Sequence, residues 1–179
     1  MMLDRFFKIK FFSLILFSLL CSCSQSQTQE SSDRSFNREA FINVNRQLVN
    51  KEQEKIKEYI EKNDLDLERT DTGLWYSIEK EGEGDLIVKD KVVHLEYELW
   101  LLDGTLVYSS EEFGEKVFLV GQGGVESGLE EGILMLKKGS KATFILPSHL
   151  AHGLIGDSDR IPFRSSLKYF IKVVDVTDK

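Results

Sequence analysis

From Val93 to Leu101 every second residue is apolar: Val93, Leu95, Tyr97, Leu99 and Leu101 fall on one side, and His94, Glu96 and Glu98 on the other. A period of two is the pattern of a strand with one buried and one wetted face. The chain closes on a similar run, in which Leu167, Tyr169, Ile171 and Val173 alternate with Lys168 and Lys172. Leu74, Tyr76 and Ile78 repeat the pattern in short form, and residues 117–120 and 143–146 are further β-rich runs. Gly82-Glu83-Gly84, Asp103-Gly104 and Lys138-Gly139-Ser140 read as turns between them. Only residues 125–136 carry helical spacing in this half, with Val125, Leu129, Ile133 and Leu136 on one face. The pattern predicts an α+β domain over residues 72–179, a curved antiparallel sheet wrapped around one short α-helix.

What precedes this domain is of a different kind. Arg5, Lys8 and Lys10 lead into the apolar run 11–20, too short to span a bilayer and followed by Cys21-Ser22-Cys23, so residues 1–22 read as an export signal. Leu20-Cys21-Ser22-Cys23 resembles a bacterial lipobox, which makes Cys23 the acylated first residue of the mature chain. Bulky Leu20 would occupy the position that has to be small if Cys21 were used instead. Residues 23–35 are polar and read as a flexible tether. Residues 36–71 follow as a helical spacer in which Phe41, Val44, Leu48, Ile56, Tyr59 and Ile60 recur at roughly helical spacing, interrupted near Glu52. One or two solvated helices are the plain reading of 36–63, and a homodimer through a coiled coil the sharper one.

Composition narrows the function. Thirty acidic residues stand against twenty-three basic ones, a net charge of -7, so a phosphate backbone would repel this chain and nucleic acid is a poor partner. Both cysteines lie at the leader, leaving the mature domain without a thiol. His149 and His152 stand three apart, but Pro147 and Gly153 bracket a loop and no ordered carboxylate spacing joins them, so no metal site is expected. Gly121-Gln122-Gly123-Gly124 after a short strand invites a dinucleotide reading. The third glycine is misplaced, and Glu126, Glu130 and Glu131 would crowd a phosphate.

Several segments, in order, carry a more specific signal: Val93-His94-Leu95-Glu96-Tyr97, Leu102-Asp103-Gly104-Thr105, Ser109-Ser110, Gly128-Leu129-Glu130-Glu131-Gly132, Met135, Gly139, Leu146-Pro147, Leu150-Ala151-His152-Gly153, Ile161-Pro162 and the closing strand. Together they resemble the FKBP-type peptidyl-prolyl cis-trans isomerases over about residues 72–176. With the lipobox and spacer, the chain is most similar to the GldI-like, gliding-motility-associated isomerase lipoproteins. The resemblance implies a ligand pocket between sheet and helix, and no cofactor. It places Tyr97 at the pocket wall, Tyr169 on the last strand, Val125 and Glu126 as the pair whose backbone holds the ligand, and Leu129 at the floor. His152 falls where a hydrogen-bonding tyrosine is usual, and Ile161 lies on the lip. Val107 and Tyr108 stand where the family has Phe-Asp, Lys116 where it has an aromatic, Glu126 an aliphatic, and Leu129 a tryptophan. These departures remove aromatic area and the pocket carboxylate, so a wider or more polar cavity and low activity are expected.

An X-Pro bond turns slowly because amide resonance must be lost, a barrier of about 18–20 kcal/mol. A water-poor cavity that binds the twisted amide better than the planar one needs no proton carrier. The expected function is a membrane-tethered isomerase acting on X-Pro segments of exported polypeptides, at the periplasmic face and most plausibly the outer membrane, serving protein folding or a motility or secretion machine. The rival is a non-catalytic chaperone or adaptor using the same groove, with a structural lipoprotein behind it. The catalytic reading asks for an open greasy cleft; filling of that cleft by Tyr108 or Lys116 tells against it.

Overall fold

The computed structural model describes residues 27–179, with side chains described from residue 38 onward. Residues 1–22, expected as a leader, Cys23, expected as the acylated residue, and the first residues of the expected tether lie outside the described residues. Two compact units are present, residues up to Gln47 and Leu48–Lys179. The element order is α1 (Gln27–Lys62), β1 (Glu68–Arg69), β2 (Trp75–Lys80), β3 (Lys91–Leu101), β4 (Leu106–Ser109), α2 (Ser110–Phe113), β5 (Lys116–Leu119), α3 (Ser127–Ile133), β6 (Lys141–Leu146), a 3-10 turn (Ser148–Leu150) and β7 (Leu167–Asp178).

The seven strands form one antiparallel sheet in the order β1-β2-β6-β7-β3-β4, with β5 pairing beside β4 on the same edge of β3. Every residue of β3 has a partner in β7, from Lys91↔Asp178 to Leu101↔Leu167. A bulge at His94/Leu95 resets the register, so that Val93 meets Val176 while Leu95 meets Val173. An uninterrupted ladder would have turned one of these apolar pairs to water. Val93, Leu95, Tyr97, Leu99, Leu167, Tyr169, Ile171 and Val173 are all buried, as the period-two pattern predicts.

The helix α3 covers this face. It is shorter than the predicted 125–136 span, ending at Ile133, and it lies close on β6 because two positions lack a side chain. A Cβ on Gly132 would stand 2.3 Å from the ring of Phe144, and one on Gly128 would stand 2.7 Å from Leu146. Leu129 and Ile133, on the same face, are fully buried.

The spacer differs from its sequence reading in three ways. The helix already runs from Gln27, inside the segment assigned as tether, and it is continuous through Glu52. Glu52 breaks the apolar stripe because its carboxylate accepts hydrogen bonds from the Ser148 amide (2.7 Å), the Ser148 hydroxyl (2.9 Å) and the Ser166 hydroxyl (2.7 Å). Finally, Ile56 and Ile60, which a coiled coil would turn toward a partner helix, are buried with Ile145 against Tyr59, Leu65, Leu67, Trp75 and Leu102 of this same chain. The last turns of α1 are therefore part of the folded domain rather than a solvated stalk. In the first unit, Phe41, Ile42 and Val44 are exposed.

Gly132→Ala should lower stability by about 1–3 kcal/mol, since the overpacking against Phe144 outweighs the gain in helix propensity. A urea midpoint equal to that of the unsubstituted chain would show that α3 stands off the sheet.

Candidate functional site

Tyr97 and Tyr169 meet because of the β3–β7 register. Tyr97 pairs with Ile171 and Leu99 with Tyr169, so the two tyrosines are diagonal neighbours on the buried face. Their ring centroids lie 6.1 Å apart at 52°. Tyr97 sits opposite the gap between β4 and β5, where β3 has no strand partner on that edge. Ser110 fills the gap: its hydroxyl accepts from the Tyr97 amide (3.1 Å) and donates to the Tyr97 carbonyl (3.3 Å). Ser109 caps the short helix α2 by accepting from the Glu112 amide. Ser110 thus holds the backbone of Tyr97 across the gap while Ser109 caps the short helix beside it, roles that periodicity alone does not show.

Glu126, at the start of α3, points its carboxylate into the domain, and only 6% of the side chain is exposed. Oε1 accepts from the Tyr169 hydroxyl at 2.8 Å and from His152 Nε2 at 3.1 Å. Oε2 faces Lys116 Nζ at 3.5 Å, and that ammonium donates to the Tyr169 hydroxyl at 2.9 Å. The same Nζ stands 5.1 Å from the centroid of the Tyr97 ring and 5.4 Å from that of Tyr169. Every member of this group therefore has a partner, which is the condition for burying polar atoms beside an apolar core.

The electrostatics follow from these contacts. Burial acts to raise the pKa of Glu126, but the His152 hydrogen bond, the Lys116 charge, its own backbone amide and the Tyr169 hydroxyl draw it down to about 2. The hydrogen bond to Glu126 raises His152 above its ordinary value. Burial first, and then the Glu126 charge, push the hydroxyls of Tyr169 and Tyr97 upward.

Two expectations are corrected here. The departure at position 108 removes one carboxylate from the family pattern, but Glu126 buries another at the start of α3. The Lys116 ammonium stands over both tyrosine rings, on the face that a ligand would approach. His152 also finds a buried carboxylate rather than a backbone partner, while His149 donates to the Thr72 carbonyl (3.0 Å), so the two histidines serve different groups.

The remaining predicted residues are distributed around this centre. Leu129 and Ile161 are buried in the main core cluster, Val107 with them, and Val125 packs against it half-exposed. Tyr108 does not enter the Lys116–Glu126 group. Its hydroxyl donates to Asp157 and lies 3.3 Å from Asp159, its ring meets Phe113 edge-on at 5.4 Å, and the Arg160 guanidinium lies 5.3 Å above it. Burial and the Asp157 bond push that hydroxyl up to about 12. Arg160 in turn forks onto Glu112 (2.8 and 3.0 Å) and donates to the Val107 carbonyl. Asp157 also accepts from the Ile161 amide (2.8 Å). The glycine loop after β5 is closed to phosphate, because Glu130 accepts from the amides of Gly121 (2.7 Å) and Gly123 (3.2 Å). Lys116 enters the sequence reading only as a departure from the family's aromatic and a candidate plug of the cleft, and Asp157 does not enter it at all. Lys116 stands out in the sequence as a cation in a strand that pairs inside the domain, whereas nothing in the polar loop 156–160 singles out Asp157.

Comparison with known proteins decides the family. The family model described as FKBP-type peptidyl-prolyl cis-trans isomerase matches residues 84–174. The chain belongs to that family. A probable FKBP-type isomerase, FkpA, of Neisseria meningitidis is 42% identical over 108 residues, covering 60% of this chain and 39% of the relative. A probable FKBP-type isomerase of Haemophilus influenzae is 36% identical over 115 residues, covering 64% and 47% respectively. The chain thus spans less than half the length of these relatives. The crystal structure of FkpA from Escherichia coli superposes with a TM-score of 0.63 at 26% identity, over 96% of this chain and 82% of that one.

The sign of the pH dependence follows from the site. Glu126, held below its ordinary 4.5, contributes stability above about pH 4.5 that is lost as pH falls toward 2. His152, held above 6.5, contributes below that pH and fades as pH rises through its raised pKa. Glu126→Gln should therefore cost roughly 3 kcal/mol at pH 6, and the gap to the unsubstituted chain should narrow between pH 4.5 and 2. A gap in urea midpoint that stays constant down to pH 2 would mean that the carboxylate is not paired.

Proposed function

We propose that this chain is a peptidyl-prolyl cis-trans isomerase that acts on X-Pro segments of exported polypeptides while held at a membrane through a lipid on Cys23. The observation that carries the reading is the tyrosine pair Tyr97 and Tyr169, set 6.1 Å apart above the helix that supplies Leu129, inside the matched segment. Two aromatic walls and an aliphatic floor suit a proline ring, and their low polarity disfavours the more dipolar planar amide relative to the twisted one. No side chain has to transfer a proton.

The buried ion pair sets the rate expected of such a site. Lys116 and Glu126 leave a strong local dipole beside the place where the amide would sit, and a dipole solvates the planar ground state that the cavity ought to disfavour. The ammonium also lies over both rings, 5.1 and 5.4 Å from their centroids. Its side chain keeps 23% of its surface exposed on an edge strand, so a ligand can displace it outward, at the cost of leaving Glu126 with fewer partners. The open cleft asked for by the sequence reading is therefore reached only after Lys116 moves, and turnover should be slow.

That same occupancy favours a second reading, a chaperone or adaptor that binds partner chains without turning the bond. Leu154, Ile155 and Phe163, exposed on the loops around the 3-10 turn, are the apolar surface such a binder would use. Within the family we place the chain with the lipid-anchored, gliding-motility or secretion-associated members on the periplasmic side of the outer membrane. The lipobox at Cys23 and the long helix after it support this, and among the described residues no helix is long and apolar enough to cross a membrane. Self-association through the first unit, where Phe41 and Val44 are exposed, belongs to the same proposal.

In a protease-coupled proline-peptide assay on the full chain, Tyr97→Ala should lower the rate at least tenfold and Tyr108→Ala by much less. An uncatalysed rate for the unsubstituted chain, with aggregation of an unfolded client still suppressed, would leave the binding module alone. Cys23→Ser should move the protein from the membrane to the soluble fraction; continued membrane fractionation would require another anchor.

A further inference from the structure

The buried centre has the composition of an ammonium cage. Two tyrosine rings lie within about 6 Å of Lys116 Nζ, the range over which an aromatic face attracts a cation. A carboxylate stands at 3.5 Å and a phenolic oxygen at 2.9 Å. The cage is the fixed partner: Tyr169 is fully buried between β6 and β3, Tyr97 is held by Ser110, and Glu126 begins α3 with 6% of its side chain exposed. The ammonium is the movable one. It sits at the end of a flexible four-carbon stem, on a strand with only one strand neighbour, and it reaches the cage from the solvent side.

That asymmetry sorts the prolyl segments that can enter. A proline preceded by an apolar side chain displaces Lys116 and strips Glu126 of its cation, leaving His152 and Tyr169 to hold a buried charge. A segment that carries its own ammonium beside the proline keeps the carboxylate paired and the ring faces covered. We infer that the pocket contains a cation subsite, formed by Tyr97, Glu126 and Tyr169, that selects X-Pro segments with a lysine next to the proline and is occupied by Lys116 when no such segment is bound. The inference rests on the isomerase reading only in that the prolyl segment docks over the faces of these tyrosines, with the proline beside the cation subsite. The acidic balance of the chain favours approach of a basic segment. Lys116, as a tethered competitor, holds the cage at a high effective concentration and weakens the binding it occludes.

The test uses the full chain and three peptides that differ only before proline: Ala-Lys-Pro-Phe, the same peptide with acetyl-lysine, and Ala-Leu-Pro-Phe. Affinity is read by titration and turnover by nuclear magnetic resonance exchange. The lysine peptide should bind about tenfold tighter than the acetyl-lysine one, which has the same stem and no charge. In Lys116→Ala the lysine peptide should tighten by roughly a further tenfold and the acetyl-lysine peptide by clearly less, because only the former re-pairs the Glu126 carboxylate. In Glu126→Gln the preference should vanish. Equal affinity for the lysine and acetyl-lysine peptides in both the unsubstituted chain and Lys116→Ala overturns the subsite, whether or not Glu126→Gln folds. Preference surviving in folded Glu126→Gln overturns it as well. Turnover of all three peptides at equal efficiency sinks the subsite and leaves the isomerase; lysine-selective binding without turnover keeps the subsite and removes the isomerase.

Discussion

The ladder between β3 and β7 is the constraint from which the rest of this domain follows. It joins Lys91–Leu101 to Leu167–Asp178, stretches far apart in the sequence, and each residue of β3 finds a partner in it. With β7 on one side of β3, only the other edge is left for β4 and β5, which share it end to end. The gap between them is where the backbone of Tyr97 turns to Ser110. The register also sets Tyr97 diagonal to Tyr169, and the bulge at His94 keeps the Val93–Val176 and Leu95–Val173 pairs on one face. Because such pairing closes a long loop before any contact rewards it, these strands carry the entropic cost of the fold.

Upon that frame the protein buries a charge. Glu126 lies where the family resemblance places an aliphatic residue, and an isolated carboxylate there would be costly to desolvate. It is tolerated because three elements converge on it: Lys116 from β5, Tyr169 from β7 and His152 from the loop after the 3-10 turn. Their mutual satisfaction makes the centre specific in geometry, since loss of any one partner exposes the others to an unpaired charge. The substitutions that seem in the sequence to be separate departures from a family pattern are thus one compensated change. A second exchange accompanies it nearby, with Tyr108 in the usual aspartate position and Asp157 meeting it from the opposite loop.

Much of this was legible residue by residue. The alternation at 93–101 and 167–173, the helical face with Leu129 and Ile133, and the turn glycines marked the sheet and its covering helix, whereas by pattern Tyr97 and Tyr169 read as core residues and only the resemblance gave them a place in a pocket. Short elements escaped, namely β1, β4 and α2, because two to four residues give no period to detect. The last turns of α1 were misjudged for a different reason. Ile56 and Ile60 show the spacing of any amphipathic helix, and spacing says that a face is covered without saying by what. Lys116 and Glu126 were noticed separately, ten positions apart, with nothing local to tie them together.

The amino-acid order alone determined which faces are apolar, where the chain turns and which family it resembles, because those properties depend on residues within a few positions of one another. The three-dimensional arrangement alone decided that Lys116 and Glu126 form an ion pair beside Tyr97 and Tyr169, and that α1 ends on the sheet. Both depend on atoms brought together from distant parts of the chain, where position in space, and the need to leave no buried charge unpaired, overrides what each segment would do by itself.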